Sequence, residues 1–345
     1  MSTMESDYRV LVTGFVPFGG HATNISQTVA SAMEGRRPTL CPWTGEKRSV
    51  MVEVDILTVD EAGAQRTANR LRSGAHWDAI LHVGLCESCE VPRIERLASD
   101  RLNMRLPDNA GRQVIDSNID GAGHRGCWVD PTVWSADLFP CNYTLSMDAG
   151  AYLCNETYHA TAKALCELPT STALPTPCLF LHLPGEMNIS TETAIAFTDA
   201  TLAYLLRPFP SVSVQVFAAA IAVKGRYVIT KRSMTEADAG LWEFPGGKSE
   251  PGEDWRQAIG REIEEELGIR VVPNHLLGSW HRTRGTASFA IHLVACGLED
   301  ENAQLDLRVH DAFRWISLTD DDPGSWAGRD GEMAAFLRTA FKSTS

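Results

Sequence analysis

Apolar positions along the first two hundred residues alternate between short continuous runs and helical spacings. Arg9 to Thr13 is a short apolar run that passes straight into the loop Gly14-Phe15-Val16-Pro17-Phe18-Gly19-Gly20. A helical pattern follows through Val29 and Met33, Val50 to Leu57 alternates as a strand, and Glu61 to Leu71 has helical spacing. Asp78 to Val83 is nearly all apolar and ends at Gly84, and Cys178 to His182 is a second such run. Continuous apolar strands are what a sheet buried on both faces requires. Strands interleaved with helices predict an α/β fold, an open and mostly parallel sheet with helices on both faces. Functional side chains should then gather beyond the carboxyl ends of its strands.

The pattern changes at Arg207-Pro208-Phe209-Pro210-Ser211, where two prolines stop the helix running through Ala200 to Leu206. The predicted division is residues 1–207 and 208–345. Beyond it a β-rich run covers Val212 to Val223, Lys224-Gly225 makes a turn, and Tyr227 to Thr230 continues as strand. Strands resume from Ala287 to Ala295, and a last helix is predicted over Glu332 to Phe341.

Composition narrows the class. With 345 residues, two domains are the simplest expectation. No apolar run is long enough to suggest a membrane span, and Met1 to Asp7 lacks the basic and apolar regions of a signal peptide. Nine cysteines at irregular spacing do not read as a disulfide framework, so a reducing cytoplasm is expected. The net charge is −13, with 16 basic against 24 acidic residues up to Arg207 and 15 against 20 after it. Neither part offers a basic footprint, which excludes nucleic acid and anionic membrane as expected partners.

The most specific chemistry lies at Gly247 to Ile269. Glu262, Glu265 and Glu266 stand at i, i+3 and i+4, so a helix projects them as one acidic stripe. Clustered carboxylates of this kind suit Mg2+, a hard ion usually completed by water and substrate phosphate. Trp255, Ile259, Ile263 and Leu267 give the same helix a core-facing stripe, and Gly268 is placed to end it. Gly260 inside it costs about 1 kcal/mol relative to alanine, so packing must hold the helix.

Gly247-x5-Glu253-x7-Arg261-Glu262-Ile263-x-Glu265-Glu266-x-Gly268-Ile269 resembles the box of Nudix hydrolases, over roughly residues 212 to 341. The preceding Leu241-Trp242-Glu243-Phe244-Pro245-Gly246-Gly247-Lys248 is similar to the nucleotide-sanitising branch, which includes oxidised-purine diphosphatases and CTP pyrophosphohydrolases. That resemblance implies an α+β fold with a mixed sheet, and cleavage of a nucleoside triphosphate to monophosphate and pyrophosphate. It implies Mg2+ or Mn2+ held by Glu262, Glu265, Glu266 and the Gly246 carbonyl, with Glu265 catalytic and Arg261 paired to Glu253 as a brace. Asp330 falls where relatives place a base-reading residue. Val309 stands where relatives often carry a further glutamate, which leaves Asp311 or another nearby acid to replace it.

The first part carries a cysteine, a histidine and a glutamate. Cys154 opens a predicted helix, a position that favours thiolate. His182 ends a predicted strand and can serve as base, with Glu95 in Arg93-Ile94-Glu95-Arg96 as its orienting partner. The glycine loop at 14–20, Leu106-Pro107-Asp108-Asn109-Ala110-Gly111 and Ala149-Gly150-Ala151-Tyr152-Leu153-Cys154-Asn155 together resemble the pyroglutamyl peptidase I family over about residues 8 to 206. The resemblance implies removal of N-terminal pyroglutamate from short peptides, without a cofactor. It makes Cys154 nucleophile, His182 base and Glu95 its partner, with Phe15, Phe18 and Tyr152 around the lactam and Asn24 after the glycine loop. It also implies homo-oligomers through this domain.

Two departures stand out. Glu87-Ser88-Cys89 replaces a Gly-Gly-Arg type turn, and the segment after Pro184 is short. Cys86-Glu87-Ser88-Cys89 has no second ligand pair at zinc spacing and follows a strand rather than opening a helix, so neither a metal nor a redox role is expected of it. The sequence therefore predicts a bifunctional cytoplasmic hydrolase acting on small nucleotides and pyroglutamyl peptides. The alternative is an active Nudix half behind a scaffold or oligomerisation domain.

Overall fold

The computed structural model describes residues 8–169, 174–235, 237–317 and 323–342. The segment read above for a leader lies outside them. The chain divides into two compact units: among the described residues, one comprises 8–168 and 176–210, the other 169, 174–175 and the residues from Ser211 on.

The first unit runs β1 (Tyr8–Phe15), α1 (Ile25–Ala32), β2 (Gly35–Leu40), β3 (Lys47–Leu57), α2 (Glu61–Arg72), β4 (Ala79–Cys86), β5 (Arg93–Glu95), β6 (Leu97–Ala98), β7 (Arg125–Gly126), β8 (Thr144–Ser146), α3 (Leu153–Glu167), β9 (Cys178–Pro184) and α4 (Thr191–Leu206). Its seven-stranded sheet has the order β2-β3-β1-β4-β9-β5-β8. The pairs β1–β3, β1–β4, β4–β9 and β5–β8 are parallel, whereas β2 and β5 run antiparallel to β3 and β9.

Two-residue periodicity sorts the central strands between two cores. Val10, Val12, Leu81 and Leu181 face one way, into the cluster with Val29 and Met33 beside α1 and Phe197 and Leu205 of α4. Leu11, Ile80 and Phe180 face the other way, against Ala68 and Leu71 of α2 and Tyr158 and Leu165 of α3. Each such fully buried side chain contributes roughly 1.5–3 kcal/mol of transfer free energy. The strands are apolar on both faces because helices cover both. The open sheet expected from sequence is the one observed, with two antiparallel pairings among the parallel ones.

The second unit runs β10 (Val214–Val223), β11 (Arg226–Arg232), β12 (Trp242–Glu243), β13 (Gly246–Lys248), α5 (Trp255–Leu267), β14 (Val271–Arg284), β15 (Ala287–Leu298), β16 (His310–Ile316) and α6 (Asp330–Lys342). Its mixed sheet has the order β12-β11-β10-β15-β14, with β13 on β10 and β16 on β11. Only β10 and β15 pair in parallel among these strands.

The long strand β14 corrects the expectation that strands resume only at Ala287. Its apolar pattern is broken by buried polar residues, Ser279, His281 and His275, and by register shifts near Pro273 and Gly278. Ser279 and His281 are satisfied across the hairpin: Ser279 Oγ meets His292 Nδ1 at 2.7 Å and His281 Nε2 meets Ser288 Oγ at 2.8 Å. Hydrogen-bonded polar pairs can occupy a core, and they conceal a strand from a hydrophobicity pattern.

Candidate active sites

At the first site the three expected residues come from three elements. His182 lies on β9 and Glu95 on β5, and antiparallel pairing of these strands sets Arg93 opposite His182 and Glu95 opposite Phe180. His182 Nδ1 is 2.8 Å from Glu95 Oε1, with Glu95 fully buried. Tyr158 Oη donates to the Glu95 carbonyl at 3.3 Å, fixing that strand from α3. Cys154 sits in the first turn of α3, free and partly buried. That turn is anchored by Asn155, which accepts from Ser99 N at 2.8 Å and donates to the carbonyls of Ser99 and Arg101. Arg112 joins Glu156 to Asp108 and ties the following loop to the helix.

Gly84 of β4 pairs with His182, and a β-carbon there would lie 3.1 Å from Cys154 Sγ and 2.8 Å from the Phe180 ring. The bare backbone is what lets the sulfur approach the sheet. Burial alone would lower the His182 pKa, but hydrogen bonds to Cys154 and Glu95 raise it to about 9. The ring therefore carries its proton at neutral pH.

A cavity of about 480 Å³ opens onto Cys154 and His182, lined also by Phe18, Tyr152, Leu106 and Arg93. Phe18 and Tyr152 face each other with ring centroids 6.0 Å apart, and Tyr152 Oη donates to the Pro107 carbonyl at 3.2 Å. The three loops that carried the sequence resemblance thus meet at one cavity. Phe15 is not in its lining; it is buried beneath, 6.3 Å from Phe180. Asn24 is also elsewhere: it caps α1, accepting from Ser26 N at 3.0 Å and donating to the Val16 carbonyl at 3.2 Å. Arg93 and Arg105 line the cavity but were not singled out from sequence, because a lone arginine carries no motif.

Cys86 and Cys89 form a disulfide, Cα to Cα 5.4 Å. This corrects the expectation that the motif has no redox character. The turn at Glu87-Ser88 brings the sulfurs together without a helix, within the geometry disulfides adopt.

A separate cluster, Asp100, Asp120 and His159, places three ligand-type atoms within 4.8 Å. Its charges are already paired, with Lys163 and Arg125 each 2.9 Å from Asp120. Asp100 accepts from the amides of Ile119, Asp120 and Gly123, and burial lowers the His159 pKa to about 4. It holds the 119–125 loop together.

At the second site α5 begins with a capping box between Asp254 and Gln257 and ends at Gly268, whose φ of 64° is left-handed. Trp255, Ile259, Ile263 and Leu267 are fully buried, which turns the glutamates outward. Arg261 joins the helix to the loop before it. It donates to Glu253 at 2.7 and 2.9 Å, to the Lys248 carbonyl at 3.0 Å, to Glu262 at 3.0 Å and to Glu265 at 3.2 Å. The hydrogen bonds to Arg261 hold Glu253 below the usual carboxylate range.

Gly246 donates its amide to Glu266 Oε2 at 3.0 Å. A β-carbon on Gly247 would fall 2.4 Å from the Glu262 carboxyl. Burial raises Glu266 to about 7, with Glu243 and Glu262 pushing the same way against His310 and the Gly246 amide. Carboxylates crowded on one helix, facing a loop whose glycine leaves room for one of them, fit a divalent cation.

The cavity here, about 510 Å³, is lined by Gly246, Glu262, Glu265, Glu266 and Asp330 among others. Val309 also lines it, 48% exposed. Asp311 does not; it accepts from Met234 N at 3.1 Å. Glu243 occupies the cavity instead, 3.2 Å from His310 Nε2 and paired with Arg232. Asp330 accepts from Phe244 N at 2.7 Å, and burial raises it to about 8. Arg282 and Arg284 reach the same cavity from β14. They escaped the sequence reading because that strand did.

Two candidate centres of unlike composition, one around a cysteine and one around carboxylates, lie in the two units. Residues 8–228 match the pyroglutamyl peptidase family and residues 212–336 the NUDIX domain family. The CTP pyrophosphohydrolase of Escherichia coli (strain K12) is 38% identical over 104 residues, covering 30% of this chain and 76% of that protein. The pyrrolidone-carboxylate peptidase of Clavibacter michiganensis subsp. michiganensis is 28% identical over 190 residues, covering 54% of this chain and 81% of that one. Among solved structures, the pyrrolidone carboxyl peptidase of Fervidobacterium islandicum AW-1 gives a TM-score of 0.48 at 24% identity, over 58% of this chain and 99% of that one. The chain belongs to the pyroglutamyl peptidase family through its first part and to the NUDIX family through its second, and is a hydrolase. No helix among the described residues is long and apolar enough to cross a membrane.

Proposed function

We propose that residues 1–207 remove N-terminal pyroglutamate from short peptides and that residues 208–345 hydrolyse nucleoside triphosphates, CTP-like or base-modified, to monophosphate and pyrophosphate, in the cytoplasm. The observation that supports the first reading is the buried His182–Glu95 hydrogen bond opening onto the Cys154 cavity. Cys154 Sγ attacks the pyroglutamyl carbonyl carbon, forming a thioester as the C–N bond to the next residue breaks. His182 delivers its proton to the departing amine and then takes one from the water that hydrolyses the thioester. Glu95 holds the ring through Nδ1, and Phe18 and Tyr152 supply the apolar wall for the lactam.

The second reading is supported by the Arg261 brace, which gathers Glu253, Glu262 and Glu265 beside the Gly246–Glu266 contact. Glu262, Glu265, Glu266 and the Gly246 carbonyl would hold Mg2+ or Mn2+, which when bound screens phosphate charge and makes water a better nucleophile. Glu265, 61% exposed and held by Arg261 at 3.2 Å through one oxygen, would take the proton of the attacking water. Glu243, in place of the glutamate absent at Val309, adds negative charge to the same wall. Asp330, protonated below about pH 8, can both donate to and accept from a base edge.

Crossed assays of two variants test the proposal. Cys154→Ala should abolish release of a fluorogenic amine from its pyroglutamyl amide and leave pyrophosphate release from CTP intact, and Glu265→Gln should do the reverse. Unchanged amide cleavage in Cys154→Ala, or unchanged pyrophosphate release in Glu265→Gln, removes the corresponding half. Absence of amide cleavage in the unmodified protein would favour the scaffold reading of the first unit.

A further inference from the structure

The Cys86–Cys89 disulfide has no part in the reactions above, yet it borders one of them. Cys86 is the last residue of β4, paired with Pro184 just as Gly84 is paired with His182. Two positions apart on one strand, Cys86 and Gly84 address the same face of the sheet, and Gly84 is where the Cys154 sulfur lies. Cys86, Glu87 and Ser88 line the cavity together with Cys154 and His182. The bridge therefore shapes the rim of the catalytic cavity from the strand beside it.

The two sulfurs differ in access. Cys86 is partly exposed and lines the cavity, whereas Cys89 is 4% exposed. The turn has few other ties: Cys89 N donates to the Cys86 carbonyl at 3.2 Å, Asn188 Nδ2 donates to the Cys89 carbonyl at 3.2 Å, Cys86 Sγ lies 3.6 Å from Ser88 Oγ, and Glu87 pairs with His21, next to the glycine loop. A bridge between residues three apart closes one of the shortest rings a chain can form, where the chain-entropy gain is smallest. Its position says more about the cavity than about stability.

We propose that Cys86–Cys89 is a redox-active centre that couples substrate binding at the first site to the thiol–disulfide state of its surroundings, with a dithiol as its reductant. One thiolate of the dithiol attacks Cys86 Sγ, forming a mixed disulfide as the Cys86–Cys89 bond breaks. Cys89 leaves as thiolate and takes a proton from water. The second thiol of the reductant, deprotonated, then attacks its own sulfur in the mixed disulfide and releases Cys86 as thiolate. Two electrons pass to the protein and the dithiol becomes a disulfide; an oxidised dithiol reverses the sequence. Reduction frees the Glu87-Ser88 rim while Cys154, His182 and Glu95 stay on α3, β9 and β5. The effect falls on KM rather than kcat. This inference rests on the pyroglutamyl-peptidase reading of the cavity.

The test uses the full chain and its Cys86→Ser/Cys89→Ser double variant, equilibrated across mixtures of reduced and oxidised dithiothreitol. One aliquot is quenched in acid, denatured, alkylated and mapped by mass, and another is assayed for KM and kcat on a pyroglutamyl amide. Expected is paired alkylation of Cys86 and Cys89 over one narrow range of the mixtures, with KM rising several-fold in step. The double variant should keep one KM throughout, and any kcat change from oxidation of Cys154 should appear equally in both proteins. The proposal is overturned if the two cysteines are labelled, or protected, in every mixture, or if KM ignores their state. Should neither protein cleave the amide in any mixture, the peptidase reading falls and the labelling alone decides the redox centre: paired labelling supports it, independent labelling overturns it.

Discussion

At the first site the carboxylate that meets the histidine, Glu95, is fully buried and directs Oε1 to His182. At the second, Glu262 and Glu265 of α5, 16% and 61% exposed, share Arg261. On the functions proposed above, the difference follows from what each site would hold. A sulfur nucleophile and its proton carrier are supplied by the chain, so their charges can be matched inside the protein. Carboxylates that would meet a cation and a polyphosphate differ in exposure, with Glu265 open and Glu266 drawn in against Gly246, and Arg261 braces Glu262 and Glu265 from the protein side. One arrangement is complete as folded; the other anticipates its ligand.

Removing divalent ions should break the symmetry most sharply. A chelator is expected to abolish pyrophosphate release while leaving pyroglutamyl-amide cleavage unchanged, measured in the same preparation. Next in size, Glu95→Gln should lower kcat for the amide by about 10³- to 10⁴-fold, on the scale seen when the partner of a catalytic histidine loses its charge. Because hydrogen bonds to Cys154 and Glu95 raise His182 to about 9, activity should fall as pH rises through that value. In Glu95→Gln the alkaline limb should move to lower pH, and a limb that stays in place would detach Glu95 from the histidine.

Arg261→Gln should weaken the Mg2+ dependence of pyrophosphate release by about 10- to 100-fold, the scale of outer-shell changes at metal sites, read from a metal titration. Asp330→Asn sharpens the contrast in pH. Burial raises Asp330 from an ordinary carboxylate value to about 8, so the folded form binds the extra proton. The stability it contributes is full at acid pH, below the ordinary carboxylate pKa, and is lost as pH climbs through about 8. Thermal melts should show this loss in the unmodified protein and its absence in the asparagine variant. Smallest is Gly260→Ala. A β-carbon there meets nothing within 4 Å outside its own helix, so the variant should gain about 0.5–1 kcal/mol in denaturant melts.

Legibility in the sequence followed physical locality. The α5 site was readable because its spacing, caps and apolar stripe lie within one helix and its preceding loop. Cys154, His182 and Glu95 were readable only as separate signals, since β4, β5 and β9 must assemble before they meet. Arg282 and Arg284 were hidden because polar pairs such as Ser279–His292 sit where β14 should look apolar. Asn24 and Phe15 belonged to the right motif, but a motif does not separate residues that line a cavity from those that hold its loop. The cysteine bridge depended on the path of a turn, which spacing alone does not give.

Gly247 lies so close to Glu262 that an added β-carbon would stand 2.4 Å from its carboxyl. Every amino acid other than glycine carries that carbon, so no missense change at this position is sterically silent. Any replacement at position 247 must push aside the far end of the Glu262 side chain, so a saturation library selected for pyrophosphate release should favour glycine there more strongly than at Gly260 of α5. The space occupied by a carboxylate is thereby written into the mutational tolerance of a residue that performs no chemistry of its own.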